Sequence, residues 1–245
     1  MDKSTLAVLG YGMSFQDSEV AATMGFEHAD MQPSVLPARL RRRTSVATKM
    51  AMTAAERACV MAACEPSELP VIFTSALGEA GVTDQLCREI AKENFPLSPT
   101  KFHNSVHNTA SGYWSIAVGS KHPAMAMGGY QDSFALGLME AWSQLHTVAS
   151  RVLLVCYEET PSDLLCQDGS WEGCASALVL GRGAAHQPQL GMPYTVPQVA
   201  AELLTSPALA AVPLLNMLQQ GLSGKVQVSD AGVQGWYVDV LNDDA

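Results

Sequence analysis

Short, almost wholly apolar runs alternate along this chain with stretches of helical spacing, and this alternation constrains the fold most. The runs "PAMAMGG" (123–129), "SRVLLVCYEE" (150–159) and "CASALVLGR" (174–182) are typical of strands buried on both faces. Apolar residues at helical spacing fill residues 44–64 and 133–147. We therefore predict an α/β fold, a layered and mainly parallel sheet covered by helices on both faces.

The character of the chain changes after residue 182. Residues 183–197 are rich in turn and breaker residues, and residues 198–222 predict two short helices interrupted by Pro207 and Pro213. Alternating apolar positions in residues 224–242 predict a closing hairpin. We therefore expect two parts, a domain of residues 1–182 and a short C-terminal extension of residues 183–245.

The net charge argues against nucleic acid as a general partner, because the chain carries a formal charge of -10. One local exception is "RLRRR" (39–43). This basic cluster is either a solvated loop or helix start, or a docking patch for an acidic protein.

The sequence lacks the patterns of membrane spans, signal peptides, zinc sites and disulfide frameworks. No apolar run reaches the roughly 18 residues of a membrane span, and the N-terminus lacks the pattern of a signal peptide, so we expect a cytoplasmic protein. No two cysteines form a C-x-x-C pair, which argues against zinc and against a disulfide framework. We expect buried free thiols at Cys59, Cys64, Cys87, Cys156, Cys166 and Cys174.

The stretch "HPAMAMGGYQDSFALG" (122–137) predicts a sharp corner between a strand and a helix. In α/β enzymes such a corner exposes a nucleophile at the start of the helix. Here we place Gln131 at the apex, and an amide cannot act as a nucleophile. Asp132 is expected to cap the free N–H groups of the helix.

Two histidines in the segment before the corner sequence are predicted to be structural. His103 and His107 are four residues apart, a spacing that could bind a metal on a helix. Asn104, Ser105 and Asn108 favour a loop there, however, and no third ligand is evident. We therefore expect no metal site.

Four segments together resemble a known family. "LAVLGYGMS" (6–14), a strand that its glycines are expected to close, is similar to the opening strand of the family, and "TSALGEAG" (74–81) resembles the loop beside an acyl pocket. Residues 98–131 resemble the segment from pocket floor to nucleophile, and "DGSWEGCASALVL" (168–180) resembles the glycine-rich return into the last strand. Their order and spacing resemble the N-terminal half of a β-ketoacyl synthase of the thiolase-like fold, over residues 4–182.

The resemblance implies that the catalytic parts are missing. In its register the family's nucleophilic cysteine falls on Gln131, and a shift of one residue would place Tyr130 or Asp132 there. None of the three can form the thiolate that holds an acyl chain. The family's two catalytic histidines come from its C-terminal half, which residues 183–245 do not resemble.

Chain-length factors of type II polyketide systems resemble this chain, since they carry glutamine in place of that cysteine. Its size is similar to the small ketosynthase-like subunit of aryl polyene pathways. The resemblance implies a heterodimer with an active β-ketoacyl-ACP synthase, an acyl carrier protein that reaches the complex, and no cofactor. Pairing would use residues 123–142, with a partner interface of Met125, Met127, Asp132, Phe134, Leu136 and Met139. The apolar members equally suit the domain's own core, and the sequence leaves both open.

The resemblance also implies a role in product length. Side-chain volume at the end of the partner's acyl tunnel would limit the chain, at about 1–3 kcal/mol for one methylene too many. By matching position, the pocket residues are Leu77, Phe102, Ser105 and Gln131.

Two other functions stay open from the sequence. Glutamine at this position also resembles loading ketosynthases that decarboxylate malonyl groups, although that chemistry needs the histidines that are missing here. The chain could instead be a scaffolding module that binds a ketosynthase or carrier protein without shaping a tunnel. A decarboxylase assay and product lengths of tunnel variants distinguish these hypotheses.

Overall fold

A computed structural model describes residues 5–28, 30–92, 97–165, 171–182, 186–197, 206–230 and 234–242 of the chain. The strands are β1 (Thr5–Phe15), β2 (Val71–Thr74), β3 (Ala124–Met127), β4 (Arg151–Glu158), β5 (Cys174–Gly181), β6 (Gln189–Gly191), β7 (Tyr194–Pro197), β8 (Gly224–Asp230) and β9 (Gln234–Leu241). The helices are α1 (Ser18–Thr23), α2 (Ala38–Arg41), α3 (Val46–Met61), α4 (Ala80–Ile90), α5 (Pro99–Asn104), α6 (Thr109–Val118), α7 (Ser133–Thr147) and α8 (Val212–Gln219). Short 3-10 helices cover Pro66–Glu68, Tyr130–Asp132 and Pro207–Ala211.

The described strands form one mixed sheet in the order β3-β2-β4-β5-β1-β6-β9-β7, with β8 also paired to β9. Strand β2 runs parallel to both β3 and β4, and the other pairings are antiparallel. The α/β class is confirmed, but the expectation of a mainly parallel sheet is wrong. An apolar run reports burial on both faces and not the direction of the strand, and β5 turns back against β4.

Helices cover both faces of the sheet, as predicted. Side chains of β4 alternate between two cores: Leu153, Val155 and Tyr157 pack with α3 and α6, whereas Val152 and Leu154 pack with α7. Within the described residues, no helix is long and apolar enough to cross a bilayer.

The glycines of β1 do not close the strand, contrary to expectation. Strand β1 continues through Gly10 and Gly12 to Phe15. A Cβ on Gly12 would lie 2.3 Å from the Ala54 carbonyl oxygen, and one on Gly10 would lie 2.5 Å from that of Ala58. The two glycines therefore let the backbone of α3 pack directly on β1.

The C-terminal residues extend the same sheet and cover α7. The predicted hairpin of residues 224–242 is confirmed as β8 and β9. Its buried valines and the apolar side chains of residues 207–218 share one core with α7, β1 and β4. Of the two short helices expected at 198–222, the structure describes the second part, and residues 198–205 lie outside the described residues.

Candidate functional site

Three loops meet at one end of the strands. Because β2, β3 and β4 run in parallel, their carboxyl ends lie together, and ligands of α/β proteins bind outside such carboxyl ends. The loops that follow these strands begin at Ser75, Gly128 and Glu159. The predicted corner and the predicted pocket loop both lie at these carboxyl ends.

The corner has a strained backbone centred on Tyr130. Tyr130 has a φ of +53°, the left-handed region that disfavours side chains, and Gln131 follows it within the 3-10 helix. Ser133 holds the turn, since its hydroxyl donates to the Tyr130 carbonyl at 2.7 Å and accepts the Gly129 N–H at 3.1 Å. The Tyr130 ring lies 5.6 Å from that of Trp171. The left-handed residue is thus one position before the predicted apex.

Gln131 and Asp132 are engaged by the C-terminal hairpin. Ser229 of β8 is fully buried, donates its hydroxyl to the Asp132 carboxylate and lies 3.1 Å from the Gln131 carbonyl oxygen. Asp132 makes no side-chain cap of α7, so the expectation of a helix cap is wrong. The hydroxyl of Ser229, brought in by a β-bulge of β8, takes the place of the helix N–H groups as the donor to that carboxylate.

His107 connects the three segments. Its Nε2 lies 2.9 Å from the Ser75 carbonyl oxygen, and since a carbonyl only accepts, Nε2 is the donor. A Cβ on Gly128 would lie 2.8 Å from that same oxygen and 3.4 Å from Nε2. The corner, the 75–81 loop and the turn after α5 therefore meet at this imidazole.

The histidines at 103 and 107 make separate contacts. The His103 ring packs edge-on against Tyr113 at 6.4 Å. No group of three histidine, cysteine or acidic side chains within the described ranges could hold a metal ion.

Three buried carboxyl groups hold the 75–81 loop, and sequence reasoning missed them. Both oxygens of Glu158 accept N–H groups, from Ala76 and, at 3.2 Å, from Leu77. Glu159 accepts the Gly81 N–H at 2.6 Å, and Glu79 accepts the Thr48 hydroxyl at 2.6 Å. The available signal was the pair of glutamates that ends the apolar run 150–159.

Burial dominates the electrostatics of these groups. It raises the pKa of Glu158 to about 7 although its N–H donors lower it. It also raises the pKa of Glu79 to about 7, although the Ser45 and Thr48 side chains lower it. The pKa of Glu159 is also raised by burial.

The predicted pocket residues differ in exposure. Leu77 is half-buried in the loop fixed by Glu158, and Gln131 is half-buried at the corner. Phe102 on α5 is 65% exposed, and the Ser105 hydroxyl donates to its carbonyl at 2.8 Å. The structure thus brings the loop of Leu77 to the corner and places Phe102 at the surface, joined to them through the turn that holds His107.

The predicted interface residues fall into three groups. Met125 is 39% exposed on β3, while Met127, Leu136 and Met139 are half-buried. Asp132 is half-buried and bonded to the hairpin. Phe134 is 1% exposed and packs in the chain's own core, so its side chain offers no surface to a partner in this structure.

Burial disfavours the thiolate form of the two cysteines near the carboxyl ends of these strands. Burial raises the pKa of Cys156 to about 12 and that of Cys174 well above its usual range. The five described cysteines are free. Cys59, Cys156 and Cys174 are buried as expected, Cys64 is half-buried, and the expectation of burial is wrong for Cys87, which is exposed; Cys166 lies outside the described residues.

Comparison with solved structures places the fold. A chain of the ketosynthase ApeO in complex with its chain length factor ApeC from Xenorhabdus doucetiae superposes with a TM-score of 0.72 at 21% identity, covering 96% of this chain and 99% of that chain. The AntDE:AntF assembly, a type II polyketide acyl-carrier protein in complex with its ketosynthase, gives 0.74 at 11% identity, covering 98% and 99%. The ishigamide ketosynthase/chain length factor gives 0.60 at 16% identity, covering 80% and 68%.

Sequence comparison gives the family. Among curated proteins, none has a sequence that matches this chain. The model of the β-ketoacyl synthase N-terminal domain matches residues 17–231, which include the strained corner, the carboxylate-held loop and strand β8 of the hairpin. Together with the thiolase-like ketosynthase fold, this match shows that the chain belongs to the β-ketoacyl synthase N-terminal domain family.

Proposed function

We propose that the chain is a non-catalytic subunit of the chain-length-factor kind. It pairs with an active β-ketoacyl-ACP synthase and shapes the acyl tunnel of that enzyme in polyketide or fatty-acid-type biosynthesis, of which aryl polyene formation is the favoured case. The observation that carries the proposal is the corner. It keeps a strained backbone but presents tyrosine, glutamine and aspartate at residues 130–132, and none of these can hold a thioester.

Neighbouring thiols do not supply the missing nucleophile. Cys156 and Cys174 lie in the strands that lead to the site, and both are fully buried. Burial raises the pKa of each thiol, so that neither forms a thiolate near neutral pH. This supports a role in which the partner holds the growing chain.

Strand β3 supports pairing with a partner. It is the last strand at its end of the sheet, and among the described strands its one neighbour is β2. Ala124 and Met125 are exposed on it. An open edge with exposed apolar residues is a template for pairing with another strand. We assign the contact to β3 and α7, with Met125, Met127, Leu136 and Met139.

Phe102 supports a role at the end of a tunnel. Phe102 is 65% exposed on α5, so its ring is accessible to a partner and can line a tunnel that the complex forms. Leu77 lies on the loop that the corner contacts. Truncating either side chain should therefore lengthen the permitted acyl chain.

The basic cluster at residues 39–43 supports contact with an acidic protein. Arg39, Arg42 and Arg43 are exposed on a chain of net charge -10. The Arg43 carbonyl accepts the Asn104 side-chain amide at 2.6 Å, so the cluster adjoins α5, which carries Phe102. An acyl carrier protein that delivers chains to the complex would meet this surface.

The first test is the molecular mass in solution, for the chain alone and co-expressed with its ketosynthase. We expect a one-to-one complex. In that complex Phe102→Ala and Leu77→Ala should lengthen the products, as measured by mass spectrometry. Val148→Ala is the matched control, because it truncates an exposed apolar side chain at the far end of α7. The proposal would be refuted if the chain is stable alone and forms no complex with the ketosynthase. Unchanged product lengths in both variants would also refute it.

A further inference from the structure

Glu158 binds the pocket loop at two consecutive residues. It is the last residue of β4 and is fully buried. Its Oε1 accepts the Ala76 N–H, and its Oε2 accepts the Leu77 N–H at 3.2 Å. One carboxylate with two acceptor oxygens therefore fixes two consecutive peptide groups, the one that joins residues 75 and 76 and the one that joins residues 76 and 77.

The register of the sheet explains why this residue reaches the loop. Thr74, the last residue of β2, pairs in parallel with Cys156, so Glu158 lies beside the second residue after the strand. The chain leaves β2 and is held at once by the carboxylate of its neighbour strand.

Bonds on either side complete the support of Leu77. Before it, the Ser75 carbonyl accepts from His107. After it, the Gly78 N–H donates to the Ser75 hydroxyl at 2.7 Å, and Gly78 has a φ of +60° that glycine tolerates. Leu77 thus lies in a tight turn whose shape depends on the two hydrogen bonds that the Glu158 carboxylate accepts.

We propose that Glu158 is a specificity-determining positioning residue, which sets where Leu77 stands and so which acyl length fits the tunnel of the complex. This inference rests on the proposed function. Glu158 does not touch the acyl chain; it acts through the loop backbone.

Two isosteric variants separate this role from general support of the site. Glu158→Gln keeps one acceptor oxygen but turns an NH₂ group toward the second N–H, so one buried donor loses its partner. Glu159→Gln is the matched control. It changes a neighbouring buried carboxylate that holds Gly81, at the start of α4, and leaves the bonds of residues 76 and 77 intact.

The experiment measures two quantities on the complex with the ketosynthase. Amide hydrogen exchange at Ala76 and Leu77 should be slow in the wild type and about tenfold or more faster in Glu158→Gln, with no such change in Glu159→Gln. Product analysis should show the share of products one extension unit longer rising about fivefold in Glu158→Gln and not in Glu159→Gln.

The outcomes are distinguishable. Faster exchange with longer products in Glu158→Gln alone supports the inference. If Leu77→Ala lengthens the products and Glu158→Gln does not, the inference is overturned and the proposed function stands. If neither Leu77→Ala nor Phe102→Ala changes product length, the proposed function fails and this inference fails with it. Should Glu158→Gln not assemble, unprotected amides at residues 76 and 77 of the wild-type complex would still overturn it.

Discussion

Buried Glu79 should make the chain less stable as the pH rises. Burial raises its folded-state pKa from the ordinary value of 4.5 to about 7. Below pH 4.5 the group is protonated in both the folded and the unfolded chain, and its contribution to stability is fully present. As the pH rises through 7 the unfolded chain ionises freely while the folded chain resists ionisation, so that contribution is lost.

The size of the effect follows from the shift. Each pKa unit corresponds to about 1.4 kcal/mol, so the shift is worth about 3 kcal/mol in total, of which about 2 to 3 kcal/mol falls between pH 5 and pH 8. Glu79→Gln removes this titration and keeps the shape of the side chain. The free energy of unfolding should therefore fall less steeply with pH in the variant than in the wild type, by that amount.

Urea unfolding at a series of pH values measures the difference. Comparing the two proteins cancels every other titrating group that behaves alike in both. Thr48→Val is a second control with the opposite direction: it removes the hydroxyl that donates to Glu79 and lowers its pKa, so stability should fall more steeply with pH. Equal pH dependence in the wild type and Glu79→Gln, within about 0.5 kcal/mol, would refute the assignment of a raised pKa to this group.

Three further predictions concern the corner, the hairpin and the surface. Gly128→Ala should destabilise the chain by about 2 kcal/mol or more in thermal unfolding, because its Cβ would lie 2.8 Å from the Ser75 carbonyl oxygen. Gly112→Ala in α6 is the control: its Cβ would enter open space, so the substitution should be neutral or stabilise the chain by up to about 1 kcal/mol. Equal shifts would contradict this. Ser229→Ala should cost about 1–3 kcal/mol and speed amide exchange in the β8–β9 hairpin; unchanged exchange would show that the hydroxyl does not anchor it. The combined substitutions Arg41→Gln, Arg42→Gln and Arg43→Gln should weaken binding of the acyl carrier protein at low salt and have little effect at high salt. A loss of affinity that does not depend on salt would exclude an electrostatic contact.

Local pattern was enough to predict most elements but not how they pair. The apolar runs at 150–159 and 174–182 became β4 and β5, and the helical spacing of 133–147 became α7. Strand direction depends on contacts between distant segments, and a run buried on both faces carries no sign of it. The same limit applies to β1, where Gly10 and Gly12 look like a strand end in sequence but serve the close packing of α3.

At the site, the sequence predicted the corner and not what holds it. The glycines at 128 and 129 mark the corner, and one of them is required by the contact with Ser75. The contact of Ser229 with Asp132 spans 97 residues, and that of Glu158 with Ala76 spans 82. Contacts over such separations follow from the register of the sheet, which a single sequence does not encode in any local pattern.

The polar groups of the corner explain what its strained backbone does in this chain. A left-handed non-glycine residue costs about 1–3 kcal/mol and persists only where its surroundings hold it. Here the Ser133 hydroxyl donates to the Tyr130 carbonyl. The Ser229 hydroxyl contacts the Gln131 carbonyl oxygen and the Asp132 carboxylate, on the two residues that follow. In a catalytic corner the same strain presents a nucleophile. In this chain the corner instead contacts the hairpin and the pocket loop at the start of α7, next to the open edge of β3, and this arrangement suits the proposed role of a subunit that acts by shape beside a catalytic partner.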